Sequence, residues 1–241
     1  MSELTGTAAT VVLLRDGAAG PEVLLLERPV AGSFGGAWVF PGGRVDPEDR
    51  AAAGSPAGAV DGPGADTGAV DGPEAAAARI AGVRETAEET GLLVRERDLV
   101  ALSCWFPPEN IPRRYQTWFY AAKAPAGEIR LNPGELLNHL WLTPEEALDR
   151  HRNGLMQLVP PTWVTLHGLS RDAGADEALA RLAGTEPSIF RSRPLSGHGP
   201  ATVLAWEGDA EYPAGTGTPP AAEARHRLVM EGTDWRYERT V

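Results

Sequence analysis

Between Arg84 and Leu92 the chain reads RETAEETGL, three carboxylates and one guanidinium within a single short run. On a helix, Glu85, Glu88 and Glu89 stand at i, i+3 and i+4 and fall within about 100° of one another around the axis. Like charges at those spacings repel by a few tenths of a kcal/mol per pair, so the arrangement calls for a compensating cation. Arg84 can reach Glu88 one turn on, but one guanidinium neutralises only one acid. Carboxylate oxygens suit a hard divalent ion, which such a site would share with substrate phosphates. The plain alternative is a solvated acidic face. Setting Ile80 at zero, Ala76, Ile80, Val83 and Ala87 form a narrow stripe expected to pack, with the acids on the far side.

The elements that must position this helix are legible around it. Residues 74–90 are helix formers throughout, and Gly91 follows as a stop signal. Upstream, TAATVVLLRDG, PEVLLLERP and GAWVFPGG read as strands closed by Gly and Pro. In FPGGRVD, Gly42 and Gly43 let backbone approach an ion or ligand where a Cβ would intrude. From Arg50 to Ala76 the chain is almost wholly Ala, Gly, Pro and Asp and contains GAVDGP twice. It lacks the apolar area that ordering requires, and reads as a flexible surface insertion. Downstream, LVALSCWF, YQTWFYAAKA and LLNHLWL read as strands. A helix opens at Thr143 and Pro144, and PPTWVTLHGLSR and ADEALARLAG are two further helical patterns. ATVLAWEGDAEYP and HRLVMEGTDWRYERTV read as C-terminal strands.

Composition narrows the function. With 241 residues, 42% of them apolar, the chain can bury a substantial core. A net charge of −11 opposes binding to nucleic acid, which rests on clustered Lys and Arg. A single cysteine, Cys104, excludes an internal disulfide and a cysteine-based zinc cluster. No apolar run approaches membrane-spanning length, so no membrane partner is expected and the chain reads as a soluble, cytoplasmic protein.

The glycine loop, Arg84, the three glutamates and the glycine stop together resemble the Nudix box, G-x5-E-x7-R-E-U-x-E-E-x-G-U with U aliphatic. Gly43 supplies the opening glycine, and Arg84, Glu85, Glu88, Glu89, Gly91 and Leu92 match the second half. Gly43 and Arg84 stand 41 positions apart where the uninterrupted pattern has 14, an insertion that coincides with the low-complexity stretch. Counting forward from Gly43, the first-half acid is Asp49; counting back from Arg84, the position is Ala76. Thr86 stands where an aliphatic is expected. With the interrupted box, LLLERP, PPENIPRRYQTWFYAA and the LWLTPEEAL and GLMQLVPPTWVTLHGL segments resemble the peroxisomal-type coenzyme A diphosphatase branch, over roughly residues 11–169.

The resemblance implies an α/β/α Nudix sandwich with a mixed sheet, over residues 1–185, with 50–76 inserted in the box and 186–241 a C-terminal extension packing on the same domain. It implies a Mg²⁺- or Mn²⁺-dependent enzyme that cleaves a nucleoside diphosphate linked to another moiety. Coenzyme A or acyl-coenzyme A is the first expectation, ADP-ribose or a nicotinamide dinucleotide the second, and a binding module without catalysis the third. Repelling glutamates that serve no chemistry argue against the last. Glu85, Glu88 and Glu89 are the expected catalytic and metal-binding residues, with Gly43 as a backbone ligand and Arg84 orienting the glutamates. Arg28, Gly42, Arg113 and Arg114 are candidates for substrate phosphates, and Glu109 or Glu135 for an extra loop acid. A homodimer is a candidate assembly.

Overall fold

The computed structural model describes residues 4–30, 35–54, 72–132, 134–213 and 220–240. Its centre is a sheet of eight strands. β1 (Gly6–Asp16), β2 (Pro21–Glu27) and β3 (Trp38–Val39) run antiparallel in succession, and β4 (Gly42–Arg44) returns against β1. β5 (Val100–Phe106) pairs antiparallel with β6 (Tyr115–Lys123), and β6 lies parallel to β1 from Gly6 opposite Tyr115 to Leu14 opposite Lys123. β7 (Asn138–Leu142) completes the β2 side. The sheet is therefore mixed.

Helices cover both faces because β1 alternates its side chains between two cores. Ala9, Val11 and Leu13 face one core with Ala75, Ala77, Ala78 and Ala81 of α2 (Pro73–Thr90). Val12 and Leu14 face the other, with side chains from α3 (Pro144–Arg152), α4 (Pro160–Leu169) and α5 (Ala175–Ala183). A strand buried on both faces reads as a continuous apolar run, as TAATVVLL does. α3 opens as its sequence predicts, with Thr143 and Glu146 forming a reciprocal capping box.

The C-terminal region joins the same core. β8 (Ser188–Arg191) adds to β5 in parallel, and β9 (Arg193–Leu195), β10 (Thr202–Ala205), β11 (His226–Glu231) and β12 (Asp234–Arg239) form a separate antiparallel sheet. Trp105 of β5 stacks on Phe190 at 3.9 Å between centroids, and Trp206, at the end of β10, meets both edge-on. Among the described residues no helix is long and apolar enough to cross a membrane.

The low-complexity stretch is narrower than its composition indicates. Arg50 lies inside a short helix, α1 (Pro47–Ala52), and Glu74, Ala75 and Ala76 are already in α2. Arg50 and Ala75 are buried. The GAVDGP repeats fall on residues 58–63 and 68–73, mostly outside the described ones.

Candidate active site

α2 starts at Pro73, whose fixed φ suits a first helical position, and ends at Gly91, whose φ of 73° lets its N–H close back on the Ala87 carbonyl. The face it packs differs from the one its bulkier residues mark. Ala76, Ile80, Val83 and Ala87 are only half-buried, and the face against the sheet is Ala75, Ala78, Gly82, Thr86 and Glu89. The reason is distance. A Cβ built on Gly82 would stand 3.0 Å from the Val11 side chain, so the helix lies too close to β1 for large side chains. Thr86 is fully buried in the expected aliphatic position and directs its hydroxyl to the Gly82 carbonyl at 2.7 Å.

The acids therefore border the packed face instead of opposing it. Glu89 sits within it at 9% exposure, Glu85 is half-buried at its margin, and Glu88 reaches solvent. At the start of β4 the Gly42 N–H donates to Glu89 Oε2 at 2.8 Å. A Cβ on Gly42 would strike the Ala9 carbonyl, and one on Gly43 would overlap the Glu85 carboxylate. Gly42 thus lets β4 lie close on β1, and Gly43 leaves room for the Glu85 carboxylate.

Arg84 is the hub. Its Nε donates to Asp49 Oδ1 at 3.1 Å and its Nη2 to Asp49 Oδ2 at 2.8 Å, a two-pronged pair. Its Nη1 donates to Glu85 at 2.9 Å and to Glu88 at 3.2 Å, and Nη2 also meets the Arg44 carbonyl at 3.0 Å. The structure thereby decides between the two counts for the first-half acid. Asp49 faces Arg84 from α1 and is 3% exposed, whereas Ala76 has no polar atom to offer there. Asp49 also accepts the Asp46 N–H at the start of α1.

The electrostatics follow from burial. Glu89 is pushed up to about 7, chiefly by desolvation, with the Gly42 N–H and Arg28 opposing and Glu85 and Glu135 adding to the rise. Glu85 is raised for the same first reason, against the pull of Arg84. Arg84 is raised, first by its bond to Asp49.

Outlying candidates divide. Arg28 and Glu135 are close enough to Glu89 to bias its charge, and Glu135 accepts from Asn132 at 2.8 Å. Arg113 and Arg114 immediately precede β6; Arg114 donates to the Pro107 carbonyl at 3.0 Å. Glu109 pairs with Arg193 of β9 at 2.6 Å. Cys104 is fully buried, and Trp38, Trp105 and Trp118 are core residues.

All-oxygen donors at Glu85, Glu88 and Glu89, with backbone free of Cβ atoms at Gly42 and Gly43, fit a hard divalent cation in chemistry. Among the described residues, no three Asp, Glu, His or Cys side chains already converge as a ligand set. The Arg84 guanidinium binds both Glu85 and Glu88.

Residues 4–160 match the NUDIX domain. A NUDIX hydrolase from Alicyclobacillus acidocaldarius shares 27% identity and a TM-score of 0.61, covering 75% of this chain and 97% of its own. A MutT NUDIX hydrolase from Burkholderia pseudomallei shares 22% identity over 67% of this chain and 95% of its own, with a TM-score of 0.44. The NUDIX domain of Shewanella oneidensis NrtR, solved with ADP ribose, shares 17% over 76% of this chain and 90% of its own, with a TM-score of 0.47. Among curated protein sequences none matches.

Proposed function

The chain belongs to the NUDIX domain family and is a Nudix hydrolase, and on that premise we propose that it cleaves the diphosphate of coenzyme A or acyl-coenzyme A to 3′,5′-ADP and a phosphopantetheine. The observation that carries the site is the cluster at the α2 surface, where Arg84 gathers Asp49, Glu85 and Glu88 beside Glu89 and the glycine turn. The substrate rests on the box interrupted between Asp49 and Arg84, and on PPENIPRRYQTWF ahead of and within β6.

Glu85, Glu88 and Glu89, with a backbone carbonyl at Gly43 or Gly42, would hold Mg²⁺ or Mn²⁺. Bound there, the ion supplies neutralisation of phosphate charge and a more acidic water. The rest falls to the chain itself. Water adds to one phosphorus, the phosphoanhydride P–O bond breaks, and the departing phosphate keeps the electron pair. The proton shed by the water passes to a carboxylate of the cluster. Arg84 fixes the direction of Glu85 and Glu88, and Gly42 fixes Glu89 through its N–H. Arg28, whose charge is felt by Glu89, would meet a substrate phosphate.

ADP-ribose and nicotinamide dinucleotides are the competing substrates. Incubation with each diphosphate in H₂¹⁸O, with mass spectrometry of the products, tests the assignment. Coenzyme A should give labelled 3′,5′-ADP or labelled phosphopantetheine; much faster turnover of ADP-ribose at equal concentration would replace it.

A further inference from the structure

The two halves of the site lie on separate helices, with residues 53–72 between them in the chain. α1, which carries Asp49, has six residues, too few to persist as an isolated helix. Its position must come from contacts. Two adjacent residues of α1 supply them with opposite charge order: Asp49 binds Arg84, and Arg50 binds Glu74 at the far end of α2.

The second contact is well built. Arg50 Nε donates to Glu74 Oε1 at 3.1 Å, its Nη2 to Glu74 Oε2 at 3.3 Å, and its Nη1 to the Val45 carbonyl at 3.1 Å. Thr7 of β1 adds a hydroxyl donation to Glu74 Oε2 at 2.7 Å. Arg50 is 8% exposed, so the pair is largely withdrawn from water. Arg50 and Glu74 are 24 positions apart in the chain. They flank the insertion and tie its two stems to β1 and to each other. α1 begins two residues after β4, so the chain holds its first turn near the sheet, and the Arg50–Glu74 pair holds its last turn.

Resting on the functional reading above, we infer that Arg50 and Glu74 are positioning residues for the hydrolysis. Their clamp holds α1 so that Asp49 meets Arg84, and Arg84 in turn directs Glu85 and Glu88. The clamp thus acts on the reacting groups through Asp49 and Arg84.

The test is Glu74→Ala, alone and combined with replacement of residues 55–71 by a three-residue Gly-Ser-Gly link. On the diphosphate that the parent turns over fastest, Glu74→Ala should lower kcat by about tenfold with KM within about twofold, because misplaced groups act on the chemical step. Mn²⁺ affinity, read by electron paramagnetic resonance without substrate, should weaken in step. Amide exchange should rise in α1 and stay parental in β1, β5 and β6. The short link should restore kcat in Glu74→Ala to within about threefold of the parent, since it confines α1 by chain length. Parental kcat and Mn²⁺ affinity in Glu74→Ala would overturn the inference. So would a loss that the short link leaves unrestored while exchange rises across the sheet, the pattern of a merely structural role. If Glu74→Ala does not fold, Arg50→Lys, which loses the two-pronged pair, is read the same way. A parent that cleaves no diphosphate overturns the functional reading, and α1 exchange in Glu74→Ala then decides by itself whether the clamp holds.

Discussion

At the scale of single residues, Glu89 is the most constrained acid: buried on the packed face of α2, held by the Gly42 N–H, and raised to about 7 by desolvation. A carboxyl raised in the folded state favours folding in its protonated form. That contribution is full below its ordinary 4.5 and is lost as pH rises through about 7. Glu89→Gln should therefore raise metal-free stability above pH 7 by roughly 3 kcal/mol, with the gap closing toward pH 4.5. Urea unfolding across that range checks it. Catalysis should respond in the opposite sense. Glutamine at Glu85, Glu88 or Glu89 should cut kcat by roughly a thousandfold and weaken Mg²⁺ binding, since lost charge stabilisation of the transition state amounts to several kcal/mol. Three variants at near-parental rates, or a parent indifferent to EDTA, would overturn the assignment of these glutamates as metal ligands. Asp49→Asn keeps shape but removes the charge that Arg84 pairs with, and should lower kcat by more than it raises KM.

At the scale of elements, α2 is placed by small residues and α1 by ionic contacts, so the segment between them is under little demand. Replacing residues 55–71 by a short link should leave the parent's melting temperature within a few degrees, because loop-closure cost grows slowly with length. Differential scanning calorimetry checks this. The link must join at Gly54 and Gly72, between Arg50 and Glu74, because a deletion that reaches those two residues removes buried contacts.

At the scale of the whole molecule, the C-terminal sheet and the main sheet share one core. Trp206 and Leu228 pack in the same cluster as Trp105, Phe119 and Phe190. Circular dichroism and tryptophan fluorescence should therefore report one coincident unfolding transition. Trp206→Ala should lower stability by about 3 to 5 kcal/mol, with the transition still single. Two separate transitions would show that residues 186–240 fold on their own.

What the sequence by itself determined is local and periodic. The α2 stop at Gly91, the α3 cap at Thr143, the glycine turn and the i, i+3, i+4 glutamates are fixed by backbone preferences a few residues long. The buried strands announce themselves as apolar runs. The tertiary structure alone decided which face of α2 packs, because close helix-to-sheet contact selects small residues over bulky ones and draws Glu89 in with them. It alone decided that Asp49 and not Ala76 completes the box, and that Arg50 and Glu74 are ordered parts of the fold. Those outcomes depend on charge pairs that join residues far apart in the chain, and composition within a window carries no record of partners beyond it.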